Sequence, residues 1–343
     1  MSTMISIVMP CRNEAAWIER SLGDALAQEL RGHDLEVLVA VGPSDDDTHA
    51  IVERMAHAHP QVRLVENPAG VVPHGLNAAI RVARGDHIVR MDAHSRYPRD
   101  YAVTLVEALD RLGAENVGGI SVTLPMNDSD KAWAIAQVLM SPFGVGNARY
   151  RIGVQQEQDV DTVPFGCFRR DLFDRIGYFD EELVRNQDDE LNGRIKRAGG
   201  RIVLLPSVRL QYFGRDRIGK LWRMYRDYGL FKPLVNLKLG RPATVRQFAP
   251  PLFVLGIALL AVASLFTTGA LWMLLASLAL YIGILGVVGL RLVLRARRFT
   301  ALPWVVVAFM ALHFGYGMGY WTGTWRFLVL RQRVRPERVR PNR

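Results

Sequence analysis

Two apolar runs without a single charge, residues 248–266 and 270–290, constrain this chain most. They hold 19 and 21 residues, each about the length of helix that crosses ~30 Å of hydrocarbon. They predict two membrane spans and leave the residues before 248 as the place for a soluble domain. A third apolar segment, residues 302–330, differs because Gly315, Gly317, Gly319 and Gly323 interrupt its second half. Basic clusters flank it: Arg291, Arg295, Arg297 and Arg298 before, and Arg326, Arg331, Arg333, Arg335, Arg338, Arg340 and Arg343 at its end and beyond. Arginines beside apolar spans favour the cytoplasmic side, so a re-entrant segment that returns to that side is expected rather than a third crossing.

Those arginines account for much of the net charge of +10. With no aromatic-basic recognition motif beside them, they point to anionic lipid headgroups and not to nucleic acid. The N-terminus lacks a basic region followed by a long apolar run, so no signal peptide is expected and the first domain is expected in the cytoplasm. The two cysteines, Cys11 and Cys167, lie far apart and outside any CxxC, as befits free thiols in a reducing compartment.

Before the spans, apolar strand runs alternate with helical spacing. Strands are predicted at 5–9, 35–41, 62–65, 87–91 and 117–123, and helices at 14–30, 46–58, 75–83, 131–139 and 188–198, with Gly85 and Gly199-Gly200 as C-terminal stops. Alternation of this kind implies an α/β domain with a mainly parallel sheet and a ligand site at the carboxyl ends of its strands. Residues 151–161 are polar and assigned to no element. Ile218, Leu221, Trp222, Tyr225 and Gly229 then follow helical spacing, with Lys220, Arg223 and Arg226 between them. That pattern fits an amphipathic helix on a membrane surface, or one packed on its own domain.

The chemistry concentrates where the fourth strand runs out, at Asp92-Ala93-His94. A carboxylate and an imidazole two residues apart can share a divalent cation and present it to a diphosphate, and imidazole suits Mn²⁺ better than Mg²⁺. A plain loop cap by His94 is the structural alternative. Farther on, Asp188 and Asp189 open a helix, where an acidic residue can face a cleft as a general base or simply lie solvated at a helix start.

In order along the chain, Ser6-Ile7-Val8-Met9-Pro10-Cys11-Arg12-Asn13-Glu14, Gly75-Leu76-Asn77-Ala78-Ala79, Asp92-Ala93-His94, Asn186-Gln187-Asp188-Asp189-Glu190-Leu191 and Leu221-Trp222-Arg223 resemble the inverting family-2 glycosyltransferases of GT-A fold. Among these the chain looks most like membrane-attached glucosyltransferases of succinoglycan-type exopolysaccharide assembly. The resemblance implies a GT-A domain over residues 1–216; the spacing, hydropathy and charge add interfacial helices over 217–247, a membrane region over 248–330 and a basic cytoplasmic tail over 331–343. It implies that Pro10, Asn13, Glu14, Asn77 and Asp92 contact a nucleotide-sugar donor, UDP-linked by preference. Asp92 and His94 would hold Mn²⁺, or Mg²⁺, and Asp188 would be the base, with Asp189 its competitor. Phe165, Gly166 and Arg169 match the acceptor-side loop.

The implied activity is transfer of a hexose, glucose by preference, with inversion, to a polyprenyl-diphosphate-linked saccharide. The implied setting is the cytoplasmic face of a bacterial inner membrane, among lipids and other glycan-assembly enzymes. Two alternatives stay open: a polyprenyl-phosphate sugar synthase, whose acceptor is already ionised, and a catalytically silent membrane scaffold. A processive polysaccharide synthase is disfavoured because further spans and a Gln-x-x-Arg-Trp pattern are missing. Two departures from the family stand out. Ala40-Val41-Gly42-Pro43 replaces the usual carboxylate at the end of the second strand, with none until Asp45, and Met224 follows Trp222-Arg223 where Gln is common. Arg215 and Arg217 offer other positive charge for a diphosphate.

Overall fold

The computed structural model describes residues 3–242 and 244–334. The chain divides into two units, one built from residues 3–122 and 149–212, the other from residues 123–148 and 213–333. The expected tail therefore lies largely outside the described residues.

The first unit is built on a nine-stranded sheet: β1 Met4–Cys11, β2 Asp34–Val41, β3 Val62–Glu66, β4 His87–Arg90, β5 Ser95–Arg96, β6 Asn116–Leu124, β7 Gln158–Asp159, β8 Cys167–Arg169 and β9 Ile202–Phe213. The order is β3-β2-β1-β4-β8-β6-β9-β5, with β7 on β9. The expected parallel arrangement holds for β3-β2-β1-β4, joined through helices Thr48–Ala58 and Val72–Val82. From β8 onward the pairing turns antiparallel, so the sheet is mixed.

Strand alternation sorts the core into two layers. Ile5, Ile7, Met9, Val37, Val39 and Val41 pack on one face with helices Ile18–Leu26 and Tyr101–Leu112. Val8, Leu38, Ala40 and Ile88 pack on the other with Leu76, Ile80, Phe168 and Phe173. Ser6 lies on this second face as its polar exception, donating to Glu36 Oε1 at 2.6 Å, while Arg63 and the Arg84 amide also bond that carboxylate. Gly85 is not a helix stop, as its placement after residues 75–83 suggested. The helix ends at Val82, and Gly85 lies so near β1 that a Cβ there would come within 2.6 Å of Met4 O.

The second unit gathers around the third apolar segment. Helices long and apolar enough to cross a membrane cover Val245–Ala263, Thr268–Ala296 and Phe299–Val329. The first two leave large apolar side chains open, with Leu265 at 79 % and Phe266 at 81 % exposure in the turn between them. The third is not interrupted by its glycines. Leu302–Gly323 is one unbroken helix, continued by a wider turn over Thr324–Val329, so it offers no reversal point for a re-entrant hairpin.

The glycines serve close approach instead. Helix Ile218–Leu239 lies along it with Trp222 O against Gly315, Arg226 O against Gly319 and Leu230 O against Gly323, leaving no space for a Cβ at the last two. Small residues four apart let helix backbones meet in this way. The apolar face of residues 218–229 is thus covered by the chain itself, with Leu221, Met224 and Tyr225 buried. Residues 130–140 join the same cluster, burying Ala134, Ile135, Val138 and Leu139 beside Phe309 and Leu312. Arg298 ties in by donating to Asp130 at 2.5 Å and to Asp128 O.

Candidate active site

The parallel strands end in loops that brace one another. Past β1 the backbone turns at Asn13, whose φ of 55° lies in the left-handed region that Asn tolerates better than most residues. Its amide donates to Ser44 Oγ at 3.1 Å, and its side-chain oxygen accepts from the Asp45 amide at 2.8 Å. The Glu14 amide donates to Thr48 Oγ1 at 2.7 Å, and Arg12 Nη1 to Gly70 O at 3.3 Å. Loops after β1, β2 and β3 thereby form one floor, and Gly42 and Gly70 approach so closely that a Cβ on Gly42 would lie 2.9 Å from Gly70 Cα. Pro10 is buried in β1 beyond Val8, where the register with β4 stops.

At the end of β4 the sequence places a charge in an apolar strand. Period-2 alternation puts Arg90 and Asp92 on one side. Arg90 Nε and Nη2 donate to the two oxygens of Asp92 at 2.9 and 3.1 Å, and Nη1 donates to Asp188 Oδ1 at 2.7 Å. The guanidinium lies over the Phe165 ring, 5.4 Å from its centre. Tyr97 closes the other side, its hydroxyl accepting from the Asp92 amide at 2.6 Å. His94 turns its Nδ1 to within 3.9 Å of Glu14 Oε1 and sets its ring edge-on to Tyr212.

Asp188 sits in the first turn of helix Gln187–Arg197, entered through Asn186 at φ 62°. Its side chain is 28 % exposed. Burial pushes its carboxyl up to about 6, against the opposing pull of Arg90 and with added repulsion from Asp92 and Asp189. A carboxylate so tuned is ionised at neutral pH yet basic enough to take a proton.

Of the residues singled out from sequence, Asp92, Asp188 and Phe165 meet on Arg90, and Gly166 joins them by accepting the Arg90 amide at 3.0 Å. A Cβ on Gly166 would run into Asn116 Oδ1. Glu14 and His94 face each other beside them. Asn77 stands apart: its carboxamide donates to Phe179 O and Glu181 and accepts from the Phe179 amide, pinning helix Val72–Val82 to the 178–181 loop. Arg169 pairs with Asp110 at 2.7 Å, next to His87 at the opposite end of β4. Asp216, between Arg215 and Arg217, is held by Lys220 at 3.2 Å. Arg90 and Tyr97 escaped the sequence reading, although an arginine between Val89 and Met91 was a visible signal.

Among the described residues no three His, Cys, Asp or Glu side chains gather to hold a metal ion. Both carboxylate oxygens of Asp92 lie on the Arg90 guanidinium, and His94 faces Glu14. A carboxylate carries about four lone-pair positions, of which Arg90 uses two.

The chain matches the family model described as glycosyl transferase family 2 over residues 6–177. It is 30 % identical over 335 residues to the succinoglycan biosynthesis protein ExoA of Rhizobium meliloti (strain 1021), covering 97 % of this chain and 98 % of that protein. It is 24 % identical over 243 residues to a dolichyl N-acetyl-alpha-D-glucosaminyl phosphate 3-beta-D-2,3-diacetamido-2,3-dideoxy-beta-D-glucuronosyltransferase of Methanococcus voltae, covering 68 % of this chain and 74 % of that one. In fold it is similar to S. aureus TarS 1-349 in complex with UDP-GlcNAc, with a TM-score of 0.51, 16 % identity and coverage of 69 % and 66 %.

Proposed function

Because this chain belongs to glycosyl transferase family 2, we propose that it moves a hexose, with inversion, from a UDP-sugar to a hydroxyl of a polyprenyl-diphosphate-linked saccharide. The observation that carries this reading is the joining of Asp92 and Asp188 on one buried guanidinium. Attack on the anomeric carbon needs a base on the face opposite the leaving diphosphate, and Asp188 with its raised carboxyl suits that role. The attacking hydroxyl gives its proton to Asp188 as the new glycosidic bond forms and the bond to the diphosphate breaks. Asp92 and the braced loops after β1 and β2 would hold the donor, with Pro10, Asn13 and Glu14 on the nucleotide side. Phe165 and Gly166 would border the acceptor. A divalent cation held by Asp92 and His94 would supply positive charge to the diphosphate.

The lipid-linked acceptor is supported by the open apolar flanks of helices Ala249–Ala263 and Thr268–Ala296, which suit a bilayer. It is also supported by similarity to a succinoglycan biosynthesis protein and to a glucuronosyltransferase named for a dolichyl-linked N-acetylglucosaminyl phosphate. A bacterial inner membrane with the catalytic domain on the cytoplasmic side is the setting that fits both.

The test is nucleoside-diphosphate release by the detergent-purified protein over a panel of donor sugars, with and without membrane lipid extract, beside Asp188→Asn. Release that requires one donor, lipid and Asp188 is the expected result. Release with lipid phosphate alone that survives Asp188→Asn would instead mark a polyprenyl-phosphate sugar synthase, and silence with every donor a scaffold.

A further inference from the structure

Arg90 is a charge where an apolar strand needs none. Ile88, Val89 and Met91 around it are fully buried, and Arg90 itself is only 5 % exposed. Burying a guanidinium costs more than its pairing returns unless every edge is satisfied, and an apolar residue of similar volume would serve stability as well. Here every edge is used. Nε and Nη2 fork onto Asp92, Nη1 reaches Asp188, and the flat face rests on Phe165.

The seat beneath the guanidinium is itself held under strain. Phe165 has φ 51°, a left-handed conformation that bulky residues adopt at a cost, usually where function demands it. Its carbonyl accepts the Tyr101 hydroxyl, and the next carbonyl, of Gly166, accepts the Arg90 amide. The corner is thus locked on both sides and presents its ring to Arg90.

We propose that Arg90 is the positioning residue of the transfer: anchored on Asp92 by one edge, it holds Asp188 through Nη1 in the orientation in which that carboxylate receives the acceptor's proton. The inference rests on the reading of Asp188 as the base. Lysine cannot replace the fork, since an ammonium is a point charge that serves one carboxylate at a time. Placed two residues before Asp92, it stays with that nearer partner and leaves Asp188 unheld.

The experiment compares full-length wild type, Arg90→Lys, Phe165→Leu and Asp188→Asn in detergent, measuring kcat, donor KM, UDP affinity by calorimetry and thermal melting. Arg90→Lys is expected to lose kcat by at least about thirtyfold with donor KM and UDP affinity within about threefold of wild type. A purely structural arginine would lower the melting point while the surviving protein kept its kcat. Phe165→Leu keeps every charge and removes the ring under the guanidinium. Because Phe165 also borders the proposed acceptor site, acceptor KM is measured beside donor KM. In this variant kcat is expected to fall about fivefold with both KM values unchanged, whereas a raised acceptor KM would mark a lost acceptor contact. That variant carries the test if Arg90→Lys does not fold. Wild-type kcat in the folded variants, or a loss confined to donor KM, overturns the proposal. Normal transfer by Asp188→Asn would defeat the base assignment itself, whereas an inactive Asp188→Asn beside a fully active Arg90→Lys defeats only the role of Arg90.

Discussion

Asp92 and Asp188 come from opposite halves of the first unit and meet on one side chain, Arg90, at 2.9 and 2.7 Å. The first lies two residues past the end of β4, a strand of the parallel half, and the second opens a helix that follows the antiparallel β8. The site is thus made where the two halves of the sheet adjoin, which gives the two carboxylates different environments.

The proposed role of Asp188 as base sets a pH dependence for transfer. A base works ionised, and burial raises this carboxyl to about 6. We expect kcat/KM to fall roughly tenfold per unit below that pH and to level off above it. A profile flat from about pH 5 to 8 would contradict the assignment.

Stability should respond to the same group in the opposite sense. A carboxyl whose folded value lies above its unfolded value stabilises the fold fully only below the unfolded value, and that contribution is lost as pH rises through about 6. Asp188→Asn should therefore melt higher than wild type at pH 8, with the gap closing towards pH 4. A variant that melts lower throughout would show that the carboxylate is a net stabiliser.

Glu36 offers the reverse case. Burial alone would raise its carboxyl, but hydrogen bonds from Ser6, the Arg84 amide and Arg63 bring it below the ordinary value. Its contribution is present above the unfolded value and disappears as pH falls through the lowered one. Glu36→Gln should cost about 2 kcal/mol at neutral pH, read by denaturant titration of tryptophan fluorescence, and much less in acid.

The glycine seam of the second unit gives a structural prediction. Gly319→Leu must push Arg226 O away and should cost about 2 kcal/mol or more, whereas Gly283→Leu faces open space and should change melting little. Equal melting of the two variants in detergent would deny the seam its role.

Removing divalent ions with EDTA should suppress transfer, and Mn²⁺ should restore it better than Mg²⁺. Asp92→Asn should lose donor affinity together with rate. Full activity in EDTA would remove the cation from the scheme.

Much of this was legible in the sequence. Strand runs such as Ile5, Ile7 and Met9 announced the parallel half because both faces of that sheet are buried, and Asp92, His94 and Asp188 carried recognisable chemistry. Helix Tyr101–Leu112 and strand Ile202–Phe213 were not among the predicted elements, the latter carrying Pro206 within its span. The antiparallel half depends on long-range pairing that no local pattern encodes. Asn77 and Arg169 have partners that no local pattern announces: one spends its amide on Phe179 and the other its charge on Asp110. Gly315, Gly319 and Gly323 looked like interruptions because a sequence shows a missing side chain and not the backbone that fills its place.

The segment of residues 123–148 leaves the first unit only to be packed among the C-terminal helices, where Ile135, Val138 and Leu139 are fully buried. Cutting the chain ahead of residue 213 to obtain a soluble enzyme would therefore strip the cover from a helix that precedes Asp188 in sequence. During synthesis that helix emerges before its partners exist, so its apolar side stays uncovered until the last apolar segment has left the ribosome.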